Sequence, residues 1–120
     1  MKAKLILFLS FFICSNYLFA QNKPINIVFD ITSKDTVDHR MVLRWVSDIV
    51  DVHPEANVEV VFYGKSLDMV VQGKSMATND IIELVKKKNV TFNVCSIAMK
   101  RNSIETKQLL PELKQFLMVF

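Results

Sequence analysis

Cys95 is the one side chain of this sequence that combines a strong nucleophile with nearby charge. It sits in Val90-Thr91-Phe92-Asn93-Val94-Cys95-Ser96-Ile97-Ala98-Met99-Lys100-Arg101, with cations five and six residues downstream. Thiol chemistry runs through the thiolate, and a nearby Lys or Arg, or a helix N-terminus, favours that form. Lys100 and Arg101 are therefore the expected thiolate stabilisers, and Ser96 to Met99 is expected to open a helical turn beside the sulfur. No histidine is placed to serve Cys95 as a base, and no serine lies in a nucleophile-elbow sequence. Both glycines, Gly64 and Gly73, are isolated, so no phosphate-cradling loop is expected. The pattern suits sulfur carriage or exchange better than hydrolysis, since a carrier needs a thiolate and access but no triad.

The other cysteine, Cys14, falls in a segment that reads as a secretory signal peptide. Met1-Lys2-Ala3-Lys4 is basic, Leu5 to Cys14 is apolar apart from Ser10, and Leu18-Phe19-Ala20 precedes Gln21. Cleavage after Ala20 is expected, giving an exported protein, periplasmic or secreted, with residues 21–120 as a single domain. The apolar run is too short for a membrane anchor, which needs about 20 residues. Ile13 argues against lipid attachment at Cys14, where processing requires a small preceding side chain. Without Lys2 and Lys4, 13 cations face 12 anions, a balance that offers no basic patch for nucleic acid. No membrane contact is expected after cleavage, and no cofactor.

Exported proteins normally pair their cysteines. A lone Cys95 implies an intermolecular bond, a reactive thiol or plain burial. It excludes a disulfide scaffold, and no metal site is expected. His39 and His53 fall at opposite ends of one predicted helix, too far apart to share an ion, and surface or capping roles are expected for both.

The elements that must position the thiol follow from periodicity. Ile25 to Thr32 reads as a first strand, its continuous Ile27-Val28-Phe29 run suggesting burial on both faces. Ser33-Lys34-Asp35 is turn and N-cap chemistry. Asp35 to Val52 is the clearest helix, with Val37, Met41, Val42, Trp45, Val46, Ile49 and Val50 on one apolar face and Trp45 in the core. Val58 to Gly64 is the second strand, completing a right-handed βαβ unit. Ser66 to Val71 is a possible helical turn, broken by Gly73. Thr78-Asn79-Asp80 caps a helix to about Lys88, with Lys86-Lys87-Lys88 complementing its last turn. Val90 to Cys95 is the third strand, with Thr91, Asn93 and Cys95 on its more polar side. Ser103 is expected to cap a short helix, Ile104 to Leu110, and Phe116 to Phe120 is strand-like.

Alternating strands and helices imply a three-layer α/β domain with a small parallel sheet. The simplest strand order is 2-1-3-4, the flavodoxin-like arrangement. Ligands then bind at the carboxyl ends of strands one and three, where the chain reverses direction. Asp30, Thr32 and Ser33 from strand one, and Cys95 and Ser96 from strand three, are expected to line that crevice, with Gly64 and Lys65 one strand further out.

The order of elements, with Ile25 to Ile31, Val58 to Gly64 followed by Lys65-Ser66-Leu67, Val90 to Cys95 leading to Met99-Lys100-Arg101, and Leu109-Leu110-Pro111, resembles the DsrE/DsrF-like family, in its exported branch. The resemblance implies a flavodoxin-like fold, a homo-oligomer, and a sulfur relay in which Cys95 carries a persulfide to or from a partner protein. Two departures stand out. Ala98 replaces a hydroxyl residue common three positions after the cysteine, and such domains continue past Pro111 with a strand, a glycine turn and a helix. Two functions from different classes follow: a sulfur carrier or redox domain using Cys95, or a non-catalytic module for small-ligand binding or oligomerisation in which Cys95 is structural.

Overall fold

The computed structural model describes residues 23–113 together with the backbone of Leu117–Met118. The expected signal segment, residues 1–20, lies outside the described residues. The chain forms β1 (Asn26–Ile31), α1 (Thr36–Val52), β2 (Asn57–Phe62), a 3-10 segment (Gly64–Val70), α2 (Thr78–Val85), β3 (Val90–Cys95), α3 (Ser96–Arg101), two further 3-10 turns (Thr106–Gln108 and Pro111–Leu113) and β4 (Leu117–Met118).

The sheet is parallel throughout, and its strands lie in the order β1-β2-β3-β4. Asn26 to Ile31 pair with Asn57 to Phe62, and Val58 to Phe62 pair with Val90 to Val94. The expected order 2-1-3-4 is therefore wrong. The reason lies in which strand can be central. Val58, Val60 and Phe62 of β2 are at most 2% exposed, whereas Asn26, Val28 and Asp30 of β1 are open to solvent. Each of the two strands carries four apolar and two polar residues, so the order is set by the whole sheet and is not visible in either strand alone.

Among the described residues the expected three layers reduce to two. Val58, Val60, Phe62, Val90, Phe92 and Val94 form a dry face beneath the helices, where the Phe62 and Phe92 rings stack at 5.7 Å. The opposite face, with Glu59, Val61, Thr91, Asn93 and Cys95, is exposed or half-buried. Right-handed crossovers between successive neighbours place every helix on the same side. The buried face continues into Leu67, Met69, Ile81, Leu109 and Leu113, which make one core.

Asp35 caps α1 by accepting from the Val37 N–H at 2.7 Å. The buried side of α1 is His39, Leu43, Val46 and Val50. Trp45, expected in the core, is 46% exposed and stacks on Phe29 at 6.4 Å, at the β1 edge. Residues four apart advance by roughly 40° around a helix, so the row starting at exposed Val37, Met41 and Trp45 reaches the core only at half-buried Ile49. His39 is buried, and its Nε2 lies 2.7 Å from the Ser33 carbonyl, tying the helix to the preceding loop.

Three boundaries also differ from expectation. Ala77 occupies the N-cap position of α2, with Thr78 inside the helix. The helix ends at Val85, and instead of meeting its dipole Lys86 and Lys87 pair with Glu83 and Asp51 at 2.7 and 2.9 Å. The helix expected over Ile104 to Leu110 is reduced to the 3-10 turn Thr106–Gln108, with Ser103 at a left-handed φ of 54° just past the end of α3. Glu105 and Gln108 close the 3-10 turn reciprocally, the Glu105 N–H donating to Gln108 Oε1 at 2.7 Å.

Candidate functional site

Cys95 is the last residue of β3 and the N-cap residue of α3. Strand alternation sets it in register with Asn93 and Thr91, but at the strand's end it is half-buried, packs against the core, and is free. The helical turn expected at Ser96 to Met99 is present as the start of α3. Lys100 and Arg101, however, occupy the last turn of α3 and are exposed. A six-residue helix is roughly 9 Å long. The two cations and the sulfur thus sit at opposite ends of it, and the cations complement the negative end of its dipole.

The expected crevice does not assemble around the thiol. With β2 between β1 and β3, Asp30 and Thr32 lie two strand spacings from Cys95, about 9.6 Å. Ser33 is committed to the loop entering α1: its Oγ donates to Asp38 Oδ2 at 2.7 Å and accepts from the Asp35 N–H at 3.0 Å. Ser96 lines a separate open cavity of about 440 Å³ beside Met99, Lys100 and Ile104.

Gly64 and Lys65 do line a cleft, at the carboxyl end of β2. It measures about 240 Å³ and is completed by Leu67, Asp68, Lys74, Asn102 and Ile104. Gly64 has φ +65° and passes close to Thr32, so that a Cβ there would sit 3.6 Å from the Thr32 carbonyl oxygen. Ser66 is fully buried and fixes the turn by donating to the Tyr63 carbonyl at 2.9 Å and to that of Ile31. Asp68 is paired with Lys74 at 3.4 Å, and the Asn102 amide donates to the Ala98 carbonyl at 2.8 Å, closing α3. Among the described residues Lys65 makes no ion pair, and it is exposed. Sequence reasoning missed Asp68, Lys74 and Asn102. The two glycines bracketing residues 64 to 73 mark that connection as irregular, but nothing in the sequence ties it to Asn102.

A third cavity, about 350 Å³, runs along the seam between α1 and α2 beside Arg44, Asp48 and Glu83. Its charges are largely paired: Arg44 with Asp48 at 3.8 Å, and Lys87 with Asp51 nearby. Lys87 holds the Asp51 carboxyl below the usual carboxylate range by hydrogen bonding and charge, and Lys86 does the same for Glu83. No cluster of three metal-ligating side chains occurs among the described residues, and no helix among them is long and apolar enough to cross a membrane.

No curated protein matches the chain. The solved structure of a protein of unknown function, MTH1491 from Methanobacterium thermoautotrophicum, superposes with a TM-score of 0.67 over 73% of this chain and 78% of that one, at 22% identity. That likeness establishes a shared small α/β fold. The family model that matches is described as the Ras family, and it covers residues 11–114. The resemblance to the DsrE/DsrF-like family is overturned by this match, since neither comparison points to that family. The elements read from the sequence as DsrE-like are generic to parallel α/β domains, and the strand order that would have distinguished them is not the one observed. On a match spanning most of its length, the chain belongs to the Ras family.

Proposed function

We propose that this chain is a non-catalytic module that binds a small anionic ligand in the cleft around Lys65, with Cys95 in a structural role. The observation that supports it is the cleft itself. It lies just past the carboxyl end of β2 and holds an exposed ammonium, Lys65, beside the paired Lys74 and Asp68. At about 240 Å³ it suits an ion or a small acid better than a drug-sized molecule, whose pockets start near ~300 Å³.

Membership of the Ras family raises a guanine nucleotide and its magnesium as candidates, and the residues present do not fit them. P-loop proteins cradle phosphates on a glycine-rich GxxxxGK[ST] turn between a strand and a helix. Here the link from β1 to α1 is Thr32-Ser33-Lys34-Asp35, without glycine. The N-terminus of α1 is already served by the Asp35 carboxylate on Val37, and Asp38 holds Ser33 beside it. Two carboxylates occupy the place where phosphate would need positive potential. No nucleotide step is derived for this chain.

The direct test is a titration with inorganic phosphate, followed by backbone amide spectra and thermal unfolding. A ligand that binds only the folded state raises stability with concentration, by ~2.7 kcal/mol at a hundredfold excess over Kd. The proposal expects saturable shifts at Gly64, Lys65 and Asn102, abolished by Lys65→Ala. An unchanged spectrum sinks it.

A second reading, thiol exchange with a redox or sulfur-relay partner protein, is supported by one observation: Cys95 is a free, only half-buried thiol at the carboxyl end of β3. It requires fast labelling of Cys95 by a thiol reagent below neutral pH in the folded protein. Labelling that appears only on unfolding rejects it.

A further inference from the structure

Among the described residues β1 ends the sheet with its outer edge unpaired. Asn57 N–H donates to the Ile25 carbonyl and Tyr63 N–H to that of Ile31, so the odd-numbered residues of β1 turn their polar groups toward β2. Asn26, Val28 and Asp30 therefore point N–H and C=O outward. Among the described residues nothing pairs with them. Edge strands are normally blunted by proline, a bulge or charged side chains, and Asn26–Ile31 carries no proline and a single charge, Asp30. Beside this edge lies an apolar strip on α1: Trp45, 46% exposed and stacked on Phe29, with Met41 and Val52 also open to solvent.

We propose that β1 is the joint of a two-fold dimer of this chain, pairing antiparallel with its own copy about Val28. A two-fold joint must be self-complementary, and this register is. Val28 faces Val28, Ile27 faces Phe29, and Asn26 faces Asp30 twice. The Asn57 amide donates to Asn26 Oδ1 at 3.0 Å, which leaves the Asn26 amide hydrogens free to donate to the Asp30 carboxylate of the copy. Moving the two-fold to Phe29 sets Val28 against Asp30, and moving it to Ile27 sets Val28 against Asn26. Both strand a polar group beside an apolar one. Centred on Val28, all three outward residues find ladder partners, and the two sheets become one of eight strands. Phe29 lies next to the axis, so the Trp45 rings stacked on it meet across the joint and cover the apolar strip. The surface is near the low end of specific interfaces, roughly 1,200 Å² in total, so the dimer is reversible.

Sedimentation velocity of the purified chain across a concentration series tests this, with hydrogen exchange at the Val28 amide as an independent reading. The wild-type chain is expected to dimerise, with Val28 protection rising with concentration. Asn26→Asp sets like charges opposite each other twice and is expected to weaken the dimer about tenfold. Adding Asp30→Asn recreates the pair in swapped order and restores it. Both residues are exposed, so the fold is not at stake. A wild-type chain that stays monomeric with an unprotected Val28 amide overturns the proposal, and so does a strand from a different protein taking the edge. Dimerisation that is indifferent to Asn26→Asp, or that the double variant fails to restore, overturns the register and with it the joint.

Discussion

At the scale of single residues, position in the sheet decides what each side chain can do. Phe62 and Phe92 are fully buried and stacked, so truncating either to Ala leaves a cavity at the centre of the core. Phe→Ala at such a site costs about 3–5 kcal/mol, which chemical denaturation would measure as a large drop in midpoint at unchanged slope. Gly64 holds a left-handed φ close to the Thr32 carbonyl, and Gly64→Ala should cost about 1–2 kcal/mol in the same assay. Cys95 stands in contrast. It is half-buried, with both cations at the far end of α3, and Cys95→Ser should change stability by no more than about 1 kcal/mol. The sequence placed Cys95 correctly at the end of a strand and on its polar side. It could not show that five residues of helix carry Lys100 away from the sulfur, because proximity in sequence becomes distance along a helix axis.

Elements were legible where one local rule governs them. β1, α1, β2 and β3 fall close to their expected positions, since alternation and helical periodicity act over neighbouring residues. The ends were less so. Lys86, Lys87 and Lys88 looked like a cationic last turn, yet α2 stops at Val85 and Lys87 reaches back to Asp51 near the end of α1. That pair joins two elements 36 positions apart and has a pH signature. The Asp51 carboxyl is held below its usual range by Lys87, so its contribution is present above the unfolded carboxylate range and lost as pH falls through the folded value. Lys87→Met should therefore lower the unfolding midpoint at neutral pH by a small amount, with the gap to wild type closing on acidification. A gap that persists in acid would show that the Lys87 stem, and not its charge, does the stabilising. α1 carries a similar lesson, since the sequence shows that it is amphipathic but not which arc meets the sheet. His39 and Leu43 turned inward while Trp45 took the edge.

Strand order belongs to the whole molecule, and it was the least legible feature. It depends on how all the strands pair at once, and β1 and β2, with four apolar residues each, do not reveal from their own sequences which takes the central place. The consequences reach the functional site. Consecutive order removes the reversal of direction on which the expected crevice rested, separates Asp30 and Thr32 from Cys95, and leaves Gly64 and Lys65 as the sequence-predicted residues that line a carboxyl-end cleft beside Asp68, Lys74 and Asn102. Among the described residues the same order leaves one face of the sheet without a helix and the β1 edge unpaired, although parallel sheets are usually covered on both sides. Membership of the Ras family is compatible with this architecture only without the nucleotide loop, since Thr32 to Asp35 supplies carboxylates where that loop supplies glycines. The proposed anion site is centred on Lys65 and not on the thiol. Titrating inorganic phosphate into the wild-type, Lys65→Ala and Cys95→Ser proteins, read by backbone amide shifts, tests it most directly. The account predicts saturable shifts at Gly64, Lys65 and Asn102 that survive Cys95→Ser and vanish in Lys65→Ala. Shifts centred on Cys95 to Met99, or a response that Lys65→Ala leaves intact, would contradict it.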